Sequence, residues 1–205
     1  MKTLRTSLLT LGFLVAVAFA GMWSGLYNIA ATEHHTDLTS WFLAKARNRS
    51  ITVHSRNIRL PLSGEPGLIT QGFHHYHGMC RLCHGAPGYS RVEFAQGLYP
   101  LPADLASADV QKRPDAEIFW IINNGIKMTG MPAFGGTHGE DELQGLLLFV
   151  RRVSTIDSNE YEEMVEAAGF KTGAESHEHI RQQGDREEHS LPEQIEHHHN
   201  GHGGN

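Results

Sequence analysis

The sequence predicts an all-α protein, with one apolar N-terminal helix of membrane-spanning length ahead of a small helical domain. Three observations carry this. Residues 8–31 are free of charge and rich in Leu, Ala, Val and Phe. A Cys-x-x-Cys-His motif stands at residues 80–84. The segments around it carry helix start and stop signals: proline or acids at the start, and glycine or arginine at the end. Charge is uneven along the 205 residues, which sum to −6. Residues 1–59 carry +5, residues 60–156 carry −2, and residues 157–205 carry −9. The absence of a basic folded part argues against nucleic-acid binding. Two cysteines exclude a disulfide-dense scaffold and a four-cysteine metal site.

Lys2 and Arg5 are followed by no charge until Glu33. The 24 residues from Leu8 to Ala31 exceed the ~20 needed to cross a bilayer as a helix. A secretory signal peptide is the rival, since Ala18-Phe19-Ala20 resembles a cleavage site. The apolar run continues past that site through Met22, Trp23, Leu26, Tyr27 and Ile29, which favours an uncleaved anchor. Trp23 and Tyr27 suit the outer interface, and Lys2 and Arg5 hold the N-terminus in the cytoplasm. The expected location is a bacterial inner membrane, single-pass, with the rest of the chain in the periplasm.

Asp37 is placed to cap a short helix from Leu38 to about Asn48. Leu38, Trp41, Phe42 and Lys45 fall at i, i+3, i+4 and i+7, an amphipathic pattern. With Lys45, Arg47 and Arg49, it reads as a helix on the membrane surface. Packing on the following domain is the alternative. Ile51 to Leu60 alternates weakly and reads as an extended connector. Pro61, Gly64, Pro66 and Gly67 punctuate a loop.

Cys80-Arg81-Leu82-Cys83-His84 is the attachment motif of c-type haem. Two thiols on one turn can add to the two haem vinyl groups. The adjacent imidazole then supplies one axial nitrogen to the iron. A redox disulfide would need a βαβ surround, and a zinc site would need more clustered ligands. A second axial ligand must come from further along the chain. Met131, in Gly130-Met131-Pro132-Ala133-Phe134-Gly135, lies 47 residues beyond His84. A thioether is a soft ligand that favours ferrous iron. Met128 is the near rival, and Met79 lies too close to His84 to reach the opposite face easily.

Gly72 and Tyr76 share one face of a helix from about Thr70 to Met79. A second helix begins at Glu140-Asp141-Glu142 and runs to about Val153, with Arg151 and Arg152 in its last turn. Gly72 opposite Leu146 and Phe149 would permit a close crossing. Between them, Pro114 opens a helix and Gly125 stops it. Ile118, Phe119, Ile121 and Ile122 form its apolar face, and Phe119 and Trp120 are candidate walls for a haem edge. His74, His75 and His77 are expected to face solvent.

Together these residues, from Gly72 to Val153, resemble the class I cytochrome c family. The resemblance implies cytochrome c-like helices around one covalent haem, with thioethers at Cys80 and Cys83 and iron ligands His84 and Met131. It also implies a backbone carbonyl within Tyr99-Pro100-Leu101-Pro102-Ala103-Asp104-Leu105 that orients His84. The spacing of Pro102 and Leu105 leaves open which residue provides it. The expected division is an anchor at 1–32, a juxtamembrane helix and connector at 33–60, the haem domain at 61–156, and a tail at 157–205.

In the tail, Tyr161 to Ala168 reads as a short helix capped by Gly169. Beyond it little is apolar, a composition that predicts disorder. His177, His179, His189, His197, His198, His199 and His202 are candidate ligands for copper, nickel, cobalt or zinc, a solvated tail being the alternative. The function expected is electron transfer rather than enzymatic catalysis. Single electrons would pass between a dehydrogenase or quinol-oxidising complex and an acceptor such as a terminal oxidase. A haem- or metal-binding sensor is the alternative reading.

Overall fold

A computed structural model describes residues 2–61 and 66–170. Its elements are helical: α1 (Lys2–Trp23), α2 (Asp37–Ser55), α3 (Pro66–His75), α4 (Arg81–His84), α5 (Glu93–Gln96), α6 (Ala108–Gln111), α7 (Asp115–Asn124), α8 (Glu140–Arg152) and α9 (Ser158–Ala167). The chain forms two compact units. Among the described residues, one comprises 2–61, 66–86 and 90–155; the other comprises 87–89 and 156–170.

Helix α1 has 22 residues, its most apolar 18-residue stretch has a mean hydropathy of 1.8, and none of that stretch is buried. At ~1.5 Å per residue it is about 33 Å long, enough to cross a bilayer by length and composition.

Helix α2 departs from expectation at both ends. Its N-cap is Thr36, whose side chain accepts from the Thr39 N–H, and Asp37 is the first helical residue. The helix continues through Ile51-Thr52-Val53 to Ser55, where a connector was expected. The reason is tertiary. Ile51 and Ser55 are buried, and Thr52 Oγ1 donates to Glu117 Oε1 of α7 at 2.7 Å. Arg113 Nη2 donates to Asn48 Oδ1 at 3.0 Å and Arg113 Nη1 pairs with Glu117 at 3.0 Å. Packing outweighs the weak helix propensity of three β-branched residues.

Helices α3 and α8 form the centre of the first unit. They touch at Gly72 and Gly145: a Cβ on Gly72 would overlap the Gly145 carbonyl, and one on Gly145 would lie 2.6 Å from Leu68 O. The glycine expected to face Leu146 and Phe149 therefore faces backbone. Those side chains flank the crossing instead, and both are fully buried. The Phe149 ring packs on Phe73 (centroids 5.4 Å) and Tyr76 (4.9 Å). Full burial of each such side chain contributes ~1.5–3 kcal/mol.

The caps of α8 follow its sequence. Glu142 Oε2 accepts from the Gly139 N–H at 2.7 Å, and three acids occupy the first turn. Arg151, in the last turn, also fixes the approach to α7. Its guanidinium donates to Gln111 O at 2.7 Å, to Arg113 O, and to Asp115 Oδ1 at 2.8 Å. Helix α7 starts after Pro114 and ends at Gly125, whose φ of +66° lies in the left-handed region.

In the second unit, Asp157 caps α9 by accepting from the Asn159 and Glu160 N–H groups at 2.9 Å. Tyr89 Oη donates to Glu162 Oε2 at 2.6 Å, and its ring lies 5.5 Å from that of Tyr161.

Candidate functional site

Cys80, Cys83 and His84 occupy the last turns of one continuous helical run. Between α3 and α4 the run widens into a π-turn over Tyr76–Cys80, where the Arg81 N–H bonds to Tyr76 O. A π-turn inserts an extra residue into the helix, a distortion common at functional sites. Gly85, at φ +75°, ends the run directly after His84. The Tyr76 hydroxyl donates to Gly85 O at 2.8 Å, so a fully buried ring pins the end of the motif. The Val92 N–H closes the following loop on Leu82 O at 3.0 Å.

Both thiols are free and partly buried. Burial, reinforced by the neighbouring Cys83, pushes the Cys80 thiol up to about 12. Its sulfur is therefore a neutral thiol at ordinary pH.

The His84 ring is held through Nδ1, which lies 2.7 Å from Ala103 O. A carbonyl can only accept, so Nδ1 carries the proton and Nε2 keeps its lone pair. Ala103, not Pro102, is thus the orienting residue that the sequence left open. Burial lowers the His84 pKa, the Ala103 bond opposes that, Arg91 adds to it, and Asp104 opposes it. The net direction favours neutral imidazole, the form that binds metal.

Arg91 is a candidate site residue that sequence reading missed. Its Nη2 donates to Pro102 O at 2.9 Å, one residue from the carbonyl that holds His84. Its Nε is buried without a hydrogen-bond partner. A buried donor left unsatisfied on a half-buried cation is costly unless an acceptor meets it. The seven-residue spacing from His84 gave no motif by which to find it.

Met131 sits in a loop folded tightly against the end of α7. Ile126 N–H donates to Met131 O at 3.1 Å, and Met131 N–H donates to Thr129 Oγ1 at 3.2 Å. A Cβ on Gly125 would lie 2.7 Å from Met131 O, so glycine is required for the loop to return this closely. Phe134 and Gly135 N–H groups bond to Ile122 and Asn123 carbonyls at 3.1 and 2.9 Å. Met131 is partly buried, whereas Met128 is 94% exposed at φ +59°.

Of the flanking histidines, His74 is exposed and His75 is partly buried, 3.4 Å from Glu142. His77 is only 5% exposed and packs beside Phe73, contrary to expectation. Phe119 is buried in the core and Trp120 is partly exposed near the His54 ring. Among the described residues no group of three or more His, Cys, Asp or Glu is arranged to hold a further metal ion. The seven tail histidines lie outside the described residues.

The donor set fits a haem. Two thiols two residues apart stand beside an imidazole with a free Nε2, and an unpartnered guanidinium nitrogen suits a haem carboxylate. Residues 67–150 match the sequence model of a family described as cytochrome c oxidase, cbb3-type, subunit III. No curated protein matches the chain.

Proposed function

We propose that the chain, whose residues 67–150 match the model of a c-type cytochrome subunit, is a membrane-anchored, periplasmic electron carrier of class I type with one haem ligated by His84 and Met131. A domain of this class carries covalent haem c and serves haem-based electron transfer. The bound group supplies a one-electron Fe(III)/Fe(II) couple. In the reading proposed here the protein does the rest.

Cys80 and Cys83 tether the group to the last turns of the helical run. Ala103 O keeps the His84 proton on Nδ1 and orients the ring, so Nε2 would be free to bind the iron. The glycine-tightened loop holds Met131, whose thioether, as an iron ligand, would raise the potential relative to a second imidazole. Arg91 would hold a haem carboxylate. Helix α1 would keep the domain at the membrane, where it passes one electron at a time from a dehydrogenase or quinol-oxidising complex to an acceptor such as a terminal oxidase.

The observation that carries this reading is the 2.7 Å bond from His84 Nδ1 to Ala103 O, one residue from the second cysteine. Its test is retention of the haem. The reduced pyridine spectrum should be that of two saturated vinyl groups, and the haem should stay on the chain in acidified organic solvent. Cys80→Ala and Cys83→Ala should each leave little holoprotein. Haem extracted freely from the wild-type chain would refute covalent attachment.

A further inference from the structure

Helix α2 presents two separate faces. Ala44, Asn48, Ile51 and Ser55 are buried or partly buried; on this side Asn48 accepts from Arg113, just before α7, and the adjoining Thr52 donates to Glu117 of α7. Leu38, Trp41 and Phe42 are 75%, 58% and 64% exposed. At 3.6 residues per turn, their mean direction lies roughly 100° from the packed stripe. Lys45, Arg49 and Arg56 follow them along the same exposed face. The only acid in α2 is Asp37, which lies nearer the packed stripe. One line along the helix is therefore apolar first and cationic afterwards.

The chain between α1 and α2 limits where this face can be. It binds the first unit at His35, whose N–H donates to the Tyr99 hydroxyl at 3.0 Å. The His34 and His35 rings lie against Tyr99 at 5.1 and 5.3 Å. Only residues 24–33 separate Trp23 from that clip, a reach of at most about 40 Å when fully extended. Within that segment Leu26, Tyr27 and Ile29 are exposed apolar residues that continue the character of α1.

We propose that the Leu38–Trp41–Phe42 face of α2, with Lys45, Arg49 and Arg56, lies on an anionic phospholipid surface and docks the haem domain against the membrane. This rests on α1 being a retained membrane anchor. The apolar side chains enter the boundary between headgroups and acyl chains, and the cations meet lipid phosphates. The His34–His35 clip on Tyr99 then holds the strap that orients His84 near the bilayer. The haem domain is fixed in orientation rather than swinging on a tether, and it serves partners embedded in the same membrane.

The test uses full-length holoprotein in nanodiscs containing phosphatidylglycerol and a phospholipid with a photoactivatable acyl chain. Lipid adducts are mapped by mass spectrometry. Adducts are expected at residues 38–42 and absent from the α6 surface around Lys112. Phe42→Asp with Leu38→Asp should abolish them while leaving the haem spectrum unchanged. Lys45→Glu with Arg49→Glu and Arg56→Glu should reduce them in phosphatidylglycerol discs but not in phosphatidylcholine discs. Intact mass separates the two readings. A chain that retains residues 1–20 but takes up lipid label only before residue 33 overturns the docking alone. A chain beginning at Gly21 overturns the anchor. The docking then stands only if residues 38–42 are still labelled on added phosphatidylglycerol vesicles.

Discussion

Gly72 and Gly145 meet backbone to backbone where α3 crosses α8, with no room for a Cβ on either. That contact sets the separation of the two helices. It also places the Phe73, Tyr76 and Phe149 rings together, and Tyr76 in turn pins Gly85 beside His84.

Gly72→Ala should therefore destabilise the holoprotein by about 1–3 kcal/mol, the usual cost of overpacking against atoms that cannot move aside. Gly78 is the control, since a Cβ there meets nothing within 4 Å. Gly78→Ala should be neutral or slightly stabilising. Denaturant unfolding followed by haem absorbance measures both. Equal stability of the two variants would show that the crossing relaxes.

Arg91→Gln should lower the reduction potential, because in the proposed site a half-buried cation next to the haem would disfavour the extra charge of the ferric state. It should also weaken the hold on Pro102, broadening the His84 ring resonances in the reduced protein. Potentiometry and NMR read the two effects separately. An unchanged potential would mean that Arg91 Nε does not face the haem.

Met131→Ala should remove the weak near-infrared sulfur-to-iron band of the oxidised protein and let carbon monoxide bind the reduced form. Met128→Ala should do neither, since that side chain points into solvent. The reverse pattern would make Met128 the ligand.

Arg151→Met should cost about 1–3 kcal/mol, because it strips donors from carbonyls at Gln111 and Arg113. Asp115→Asn should cost less, about 0–1 kcal/mol, as that carboxylate is 44% exposed. Thermal or denaturant unfolding of the two variants gives the comparison.

Local chemistry made much of this protein readable from its sequence. The uncharged run gives an N-terminal apolar helix, but the helix covers Lys2–Trp23 rather than Leu8–Ala31. The ends of α7 and α8 follow from Pro114, Gly125, Glu140–Glu142 and Arg151–Arg152, whose effects act within one turn. The haem motif is five adjacent residues.

Tertiary structure decided what depends on partners distant in sequence. Helix α2 runs on to Ser55 because α7 covers Ile51. His77 is buried beside Phe73, four residues earlier on the same helical run. Gly145 carries no signal until Gly72 is laid against it. The carbonyl that orients His84 belongs to Ala103, and the side chain that braces its neighbour belongs to Arg91. A hydrogen bond or a close crossing is a condition on positions in space, and sequence spacing specifies such positions only within a single element.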